Sequence, residues 1–158
     1  FFDPELLGNR IADFADAGGG VVFATFANCS NNLQLRGRFC SDFKYLSMTI
    51  DTQKNLNPEK PHFMRSLLPE HPVLKGVNSF DAGIYRSKCN LLFKEGVLLI
   101  SEWDDGVPLI CESFEGKVIT LNFFPVNSIY LLECWKENTD GDRIILNSLL
   151  HVSTQRDE

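Results

Sequence analysis

Apolar and polar residues follow two different periods along this chain, and the switches between them mark its elements. Leu7, Ile11, Phe14 and Ala15 recur at helical spacing with Asp13 and Asp16 on the other side, which predicts an amphipathic helix with one apolar stripe. Asp3 stands where an N-cap belongs, and Pro4 takes the first helical position, where a missing N–H does no harm. Gly18 can adopt the left-handed conformation that ends a helix. Val21 to Phe26 is then a short continuous apolar run, as expected of a parallel strand covered on both faces. A helix feeding such a strand is half of a βαβ unit. With no strand ahead of it, residues 1–158 read as a single α/β domain, the C-terminal piece of a longer domain or protein.

The middle of the chain is less regular. Polar, turn-like residues fill 28–32, and Leu33, Leu35, Gly37 and Phe39 then alternate with Gln34, Arg36 and Arg38, as in a half-buried strand. Residues 49–62 are polar, carry Pro58 and Pro61, and read as loop. Phe63 to Leu68 reads as a short helix ended by Pro69, and His71-Pro72 leads through Val73-Leu74 to a turn at Lys75-Gly76. The last third is clearer. Val97 to Ile100 runs into Glu102-Trp103, Asp104-Asp105-Gly106 has hairpin-turn chemistry, and Pro108 to Phe114 is the return strand. A second tight turn at Glu115-Gly116-Lys117 enters a strand from Val118 to Phe124. Thr139 or Asp140 caps a closing helix that puts Ile144, Ile145, Leu149 and Val152 on one face, widened by Leu146 and Leu150. This order predicts an α/β sandwich with a mixed sheet.

Composition narrows the function classes. Apolar residues make up 44% and charged residues 23%, ordinary values for a globular domain. A net charge of -6 and the lack of any basic run argue against nucleic acid and against an anionic membrane surface. No apolar run approaches the roughly 18–20 residues that span a bilayer. The five cysteines are widely spaced and form no C-x-x-C pair, so neither a zinc motif nor a disulfide framework is expected. Reduced thiols in a cytoplasmic protein, with no metal and no cofactor, are the reading. The Gly18–Gly20 triplet follows a helix and enters a strand, the reverse of a phosphate loop.

Several segments together resemble a family. Ala15-Asp16-Ala17-Gly18-Gly19-Gly20-Val21-Val22, His71-Pro72-Val73-Leu74-Lys75-Gly76-Val77, Glu102 to Leu109, Gly116 to Phe123 and the closing helix from Asp140 resemble, in order, class I glutamine amidotransferase-like domains. That superfamily includes ThuA-like proteins and the trimerisation domain of some β-galactosidases. The resemblance implies a flavodoxin-like three-layer α/β sandwich with a mostly parallel sheet, here with one antiparallel hairpin added and the N-terminal strand–helix unit missing. Enzymatic members place a cysteine on a strand-to-helix elbow and a His-x-Glu pair later. Here Phe26 falls near the nucleophile position, and Pro125-Val126-Asn127 follows the strand where the histidine would stand. The catalytic set is absent from the pattern.

The candidate site therefore rests on ligand-binding residues near the carboxyl ends of strands, where open α/β sheets bind their ligands. These are Asn28, Cys29, Arg38, Asp81 and Asn122. Cys29 is a weak nucleophile candidate, and Arg36 and Arg38 about Gly37 can hold an anion bidentately. His62, His71 and His151 read as surface or capping residues, Asp104-Asp105 as turn residues, and Glu102 as solvent-facing beside a buried Trp103. The sequence thus favours a non-catalytic module of a longer protein that binds a small-molecule ligand, another domain of its parent chain or a second subunit. The alternative is a Cys-dependent hydrolase or transferase of the same fold, using Cys29 or residues outside this chain.

Overall fold

The computed structural model describes residues 2–25, 27, 35–56, 63–92 and 95–155, with the side chains of 49–56 and of Lys88 not described. Asn28, Cys29, Phe26 and His62 therefore lie outside the described residues. In chain order the elements are α1 (Pro4–Asp16), β1 (Val21–Ala24), α2 (Arg38–Ser41), β2 (Met48–Leu56), β3 (Met64–Ser66), a 3-10 turn (Pro72–Leu74), β4 (Arg86–Leu91), β5 (Leu98–Trp103), β6 (Pro108–Ser113), β7 (Val118–Leu121) and α3 (Gly141–Thr154). Five strands form one sheet in the order β1-β7-β6-β5-β3, and β2 pairs with β4 in a separate two-stranded ribbon.

The sheet corrects the expected architecture. Only β1 and β7 run parallel; β7–β6, β6–β5 and β5–β3 are all antiparallel, so a mostly parallel, flavodoxin-like sheet is ruled out. The cause is local. The turns at Asp104–Val107 and Phe114–Lys117 return the chain at once, whereas parallel neighbours need a crossover of about a dozen residues or more. Phe114 and Glu115 take positive φ at 51° and 56°, and Gly116 follows at 82°, which is how so short a turn closes.

Two strands stand where other conformations were expected. Residues 48–56 form β2 rather than loop, because their backbone pairs with β4 from Met48↔Leu91 to Leu56↔Arg86, across a register shift between Ile50 and Asn55. Residues 64–66 form β3 rather than a helix, pairing with the edge of β5 as Met64↔Trp103 and Arg65↔Glu102. Glu102 is consequently buried rather than solvent-facing, and the Arg65 guanidinium lies on it as a cross-strand ion pair. The strand expected over 33–39 also fails at its described end. Gly37, at φ 75°, turns the chain, and Arg38 starts the single turn of α2.

Each face of the sheet has its own cover. Ile110, Ile119 and Leu121 pack against Val73 and Leu74 of the 3-10 turn and Ile144 and Val152 of α3. On the opposite face Phe23 and Val118 meet Ala12 and Ala15 of α1, with Leu35, Phe39 and Tyr45. Rings of Phe23, Phe39, Tyr45 and Phe114 follow one another there at 5.0–5.3 Å. Complete burial of each large side chain in these layers contributes about 1.5–3 kcal/mol.

The helices turn different faces inward from those their patterns suggest. Asp3 caps α1 as expected, accepting from Leu6 N at 2.9 Å, and Gly18 closes it at φ 85°. The buried residues of α1, however, are Gly8, Ala12 and Ala15, while Leu7 and Phe14 are exposed. Small residues let the helix lie close: a Cβ at Gly8 would collide with the carbonyl of Arg36. In α3 the inward residues are Gly141, Ile144, Ser148 and Val152, and Leu146, Leu149 and Leu150 face out. Ser148 donates to Ile144 O at 2.7 Å, so its hydroxyl is satisfied inside the helix. The Asp140 carboxylate accepts from the N–H groups of Asn78 and Ser79 rather than from α3, and these bonds lower its pKa. No helix among the described residues is long and apolar enough to cross a membrane.

Candidate functional site

Of the expected ligand-binding residues Arg38, Asp81 and Asn122 are described, and these three do not share one set of partners. Asn122, just beyond β7, is 2% exposed and bonded on both sides of its amide. Its Nδ2 donates to Ser87 O at 2.9 Å, to Pro108 O at 2.9 Å and to Cys89 Sγ at 3.3 Å. Its Oδ1 accepts from Ser87 N at 2.8 Å and from Thr25 Oγ1 at 3.0 Å. Asn122 thus ties the end of β1, the ribbon strand β4 and the start of β6 together, and it offers no free group to a ligand. Its role is structural.

Arg38 is committed elsewhere. Its guanidinium pairs with Asp13 and Asp16 and donates to Tyr45 Oη at 2.7 Å, while Lys44 Nζ reaches Asp16 at 2.8 Å. Lys44, Tyr45 and Arg38, in that order, hold the Asp16 carboxyl far below the usual carboxylate range. This exposed network secures α1 to the 38–45 segment, and solvent screening keeps its energetic share small. Asp81 closes a turn by accepting from Gly83 N at 3.1 Å. Arg38, Asp81 and Asn122 therefore bond three different sets of partners.

The described thiols are poor nucleophiles. Burial pushes Cys40 up to about 11 and Cys89 up to about 12, and it raises Cys111 and Cys134 as well. A reactive cysteine needs the opposite shift.

A groove runs instead along the outer edge of β1. Val21 N donates to Lys117 O and Thr25 N to Leu121 O, so the alternation of a strand turns the backbone groups of Val22 and Ala24 away from β7. Among the described residues nothing bonds them on that side. Leu7 and Ile11 of α1, Leu35, Phe124 and Pro125 line the groove beside β1; it holds about 320 Å³. No ionisable side chain is among the residues that line it.

A second cluster joins residues that the sequence does not connect. Alternation along β6 sends Ile110 and Glu112 to the α3 face and Cys111 and Ser113 to the other. There Glu112 Oε2 meets His151 Nε2 at 2.7 Å and His71 Nε2 at 3.2 Å, with the two imidazole rings 5.0 Å apart. His71 caps the 3-10 turn as expected of a capping residue, its Nδ1 accepting from Val73 N at 3.3 Å. That bond places the His71 proton on Nε2, from where it is donated to Glu112. The bond to His71 and then the bond to His151 lower the Glu112 pKa against the opposing effect of burial. Among the described residues no lysine or arginine pairs with Glu112.

Comparison with known proteins adds a fold. No protein-family model matches this sequence, and no curated protein matches it. A solved structure does: a cytoplasmic protein from Salmonella typhimurium superposes with a TM-score of 0.59 at 14% identity. The likeness is one of fold alone. The match takes in 89% of this chain and 57% of the Salmonella chain, so the present chain spans little more than half the length of that structure.

The His71–Glu112–His151 cluster escapes a reading by motif because its members sit on three elements far apart in sequence. One signal was available. Glu112 stands in register with Ile110 on an otherwise apolar strand, and an inward carboxylate requires a partner.

Proposed function

We propose that this domain is a non-catalytic binding module that receives an extended polypeptide strand along the outer edge of β1. The groove over that edge carries the reading. It sets two backbone positions, Val22 and Ala24, that no described residue bonds on the outer side, among apolar side chains, which is the arrangement that strand addition uses. Main-chain hydrogen bonds hold such a segment and alternate side-chain pockets select it. Leu7 supports the same reading, because it is exposed and lines this groove, and Ile11 lines it while also packing against the core.

The strand comes from another part of a longer parent polypeptide or from a second subunit. That the Salmonella structure continues well beyond the matched fold is in keeping with the first source. The segment order that resembles amidotransferase-like domains belongs to this proposal, as a module without the catalytic set. A cytoplasmic setting does too, in keeping with the description of the Salmonella protein and with the free thiols of the four described cysteines. The Cys-dependent alternative rests on Cys29, outside the described residues, or on residues outside this chain.

Val22→Pro tests the proposal. Its N–H faces away from β7, so proline on this edge leaves the sheet ladder intact while removing the donor a partner strand would use. Light scattering and affinity capture of the complete polypeptide are expected to show association lost and circular dichroism unchanged. Association of undiminished strength in a folded Val22→Pro variant would overturn the proposal.

A further inference from the structure

We propose that His71, Glu112 and His151 form a binding site for a zinc-class divalent cation, on the α3 face and independent of the β1 groove. Nε2 of His71, a carboxylate oxygen of Glu112 and a ring nitrogen of His151 all lie within 4.8 Å of one another. A tetrahedral cation with bonds of about 2.0–2.1 Å holds its ligand atoms about 3.3 Å apart. The Nε2–Oε2 separations of 3.2 and 2.7 Å therefore need only small side-chain rotations to receive one.

Charge points the same way. The Glu112 side chain is 17% exposed and each imidazole 10%, so a carboxylate is largely withdrawn from water, and among the described residues its ion-pair partners are two histidines. These carry a positive charge only when protonated. A divalent cation neutralises the carboxylate without that requirement.

The donor set selects the metal. Two imidazoles and one carboxylate form a three-ligand set that zinc uses in open sites, whereas calcium and magnesium require shells of oxygen. No thiolate takes part, which removes the preference for copper(I). His151 also lines a groove of about 310 Å³ with Pro72, Lys75, Asn147 and Leu150, and this leaves the fourth position open to water or a ligand oxygen. The three ligands belong to the 3-10 turn's cap, to β6 and to α3, so a bound cation cross-links the cover of the α3 face to the sheet.

Loading has a cost that the geometry defines. Coordination at His71 Nε2 moves its proton to Nδ1 and gives up the 3.3 Å bond from Val73 N.

The test is calorimetric titration of the metal-free protein with zinc chloride, backed by the visible spectrum of the cobalt(II) form. One equivalent is expected, with the intense absorption of tetrahedral cobalt. His151→Ala and Glu112→Gln should each weaken binding by about tenfold or more, while Cys40→Ser leaves it unchanged. Alanine suits a helix, so His151→Ala keeps the fold and decides the matter even where Glu112→Gln does not fold. Zinc bound as tightly by folded His151→Ala as by the parent would overturn the site. So would a wild-type protein that takes up no zinc at millimolar concentration.

Discussion

Asn122→Ala is expected to lower the free energy of unfolding by about 3–5 kcal/mol, a large loss for a polar side chain. The argument lies in what would be left behind. Thr25 Oγ1 loses its acceptor, while the backbone N–H and carbonyl of Ser87 and the carbonyl of Pro108 lose bonds inside a buried site. Each buried group deprived of its partner costs about 1–3 kcal/mol, and relaxation recovers part of the sum. Urea unfolding with intact secondary structure in the native baseline measures it. Asn122→Asp should be worse, since a carboxylate cannot donate to Ser87 O and Pro108 O. A loss under about 1 kcal/mol would show that water replaces the amide and that Asn122 does not hold the ribbon to the sheet.

The second large effect has a sign that helix propensity would not anticipate. Gly8 lies inside α1, where alanine ordinarily stabilises by about 1 kcal/mol. Here Gly8→Ala is expected to destabilise by about 2–4 kcal/mol. The added methyl collides with the Arg36 carbonyl, a backbone atom that no rotamer change can move. The segment is held in place from both sides, because Arg36 N donates to Pro4 O at 3.1 Å and Arg38 N to Asn9 Oδ1 at 2.8 Å. To relieve the clash α1 must lift away from residues 35–41 and break these bonds. Thermal melts of Gly8→Ala beside an exposed control such as Ala17→Gly read the difference directly. An increase in stability at position 8 would mean that α1 does not pack this closely.

Both predictions concern packing that no periodicity reveals. The elements that proved legible are those specified within a few residues. The Asp3 cap and Gly18 stop bound α1, the Asp104-Asp105-Gly106 and Glu115-Gly116-Lys117 turns set the β5–β6–β7 hairpins, and α3 follows from its repeating apolar positions. The elements misread are those made by a distant partner. β2 is polar and becomes a strand through β4, and β3 becomes one through the edge of β5. The same distinction explains the sheet. A run such as Val21–Ala24 announces a buried parallel strand, yet how many such pairs exist depends on connections that the run does not encode.

The candidate site was less legible than the fold. Arg38, Asp81 and Asn122 have the chemistry of ligand-binding residues, and in the folded chain that chemistry serves other parts of the chain. The amphipathic stripe of α1 is visible as Leu7, Ile11, Phe14 and Ala15, and of these Ala15 is buried and Ile11 packs on the core, while Gly8 and Ala12 complete the inward face. Leu7 is exposed and lines the groove on β1 with Ile11. The histidines at 71 and 151 read as separate surface or capping residues because Glu112, which meets both, stands on a strand distant from each in sequence.

Amide hydrogen exchange at Val22 and Ala24 tests the central claim most directly. The measurement compares the 158-residue chain alone with the assembled polypeptide as isolated from its cell. The account predicts rapid exchange at both amides in the chain alone and strong protection in the assembly, with Phe23, which bonds towards β7, protected in both. Equal exchange at Val22 and Ala24 in the two samples would contradict a strand docked on the β1 edge.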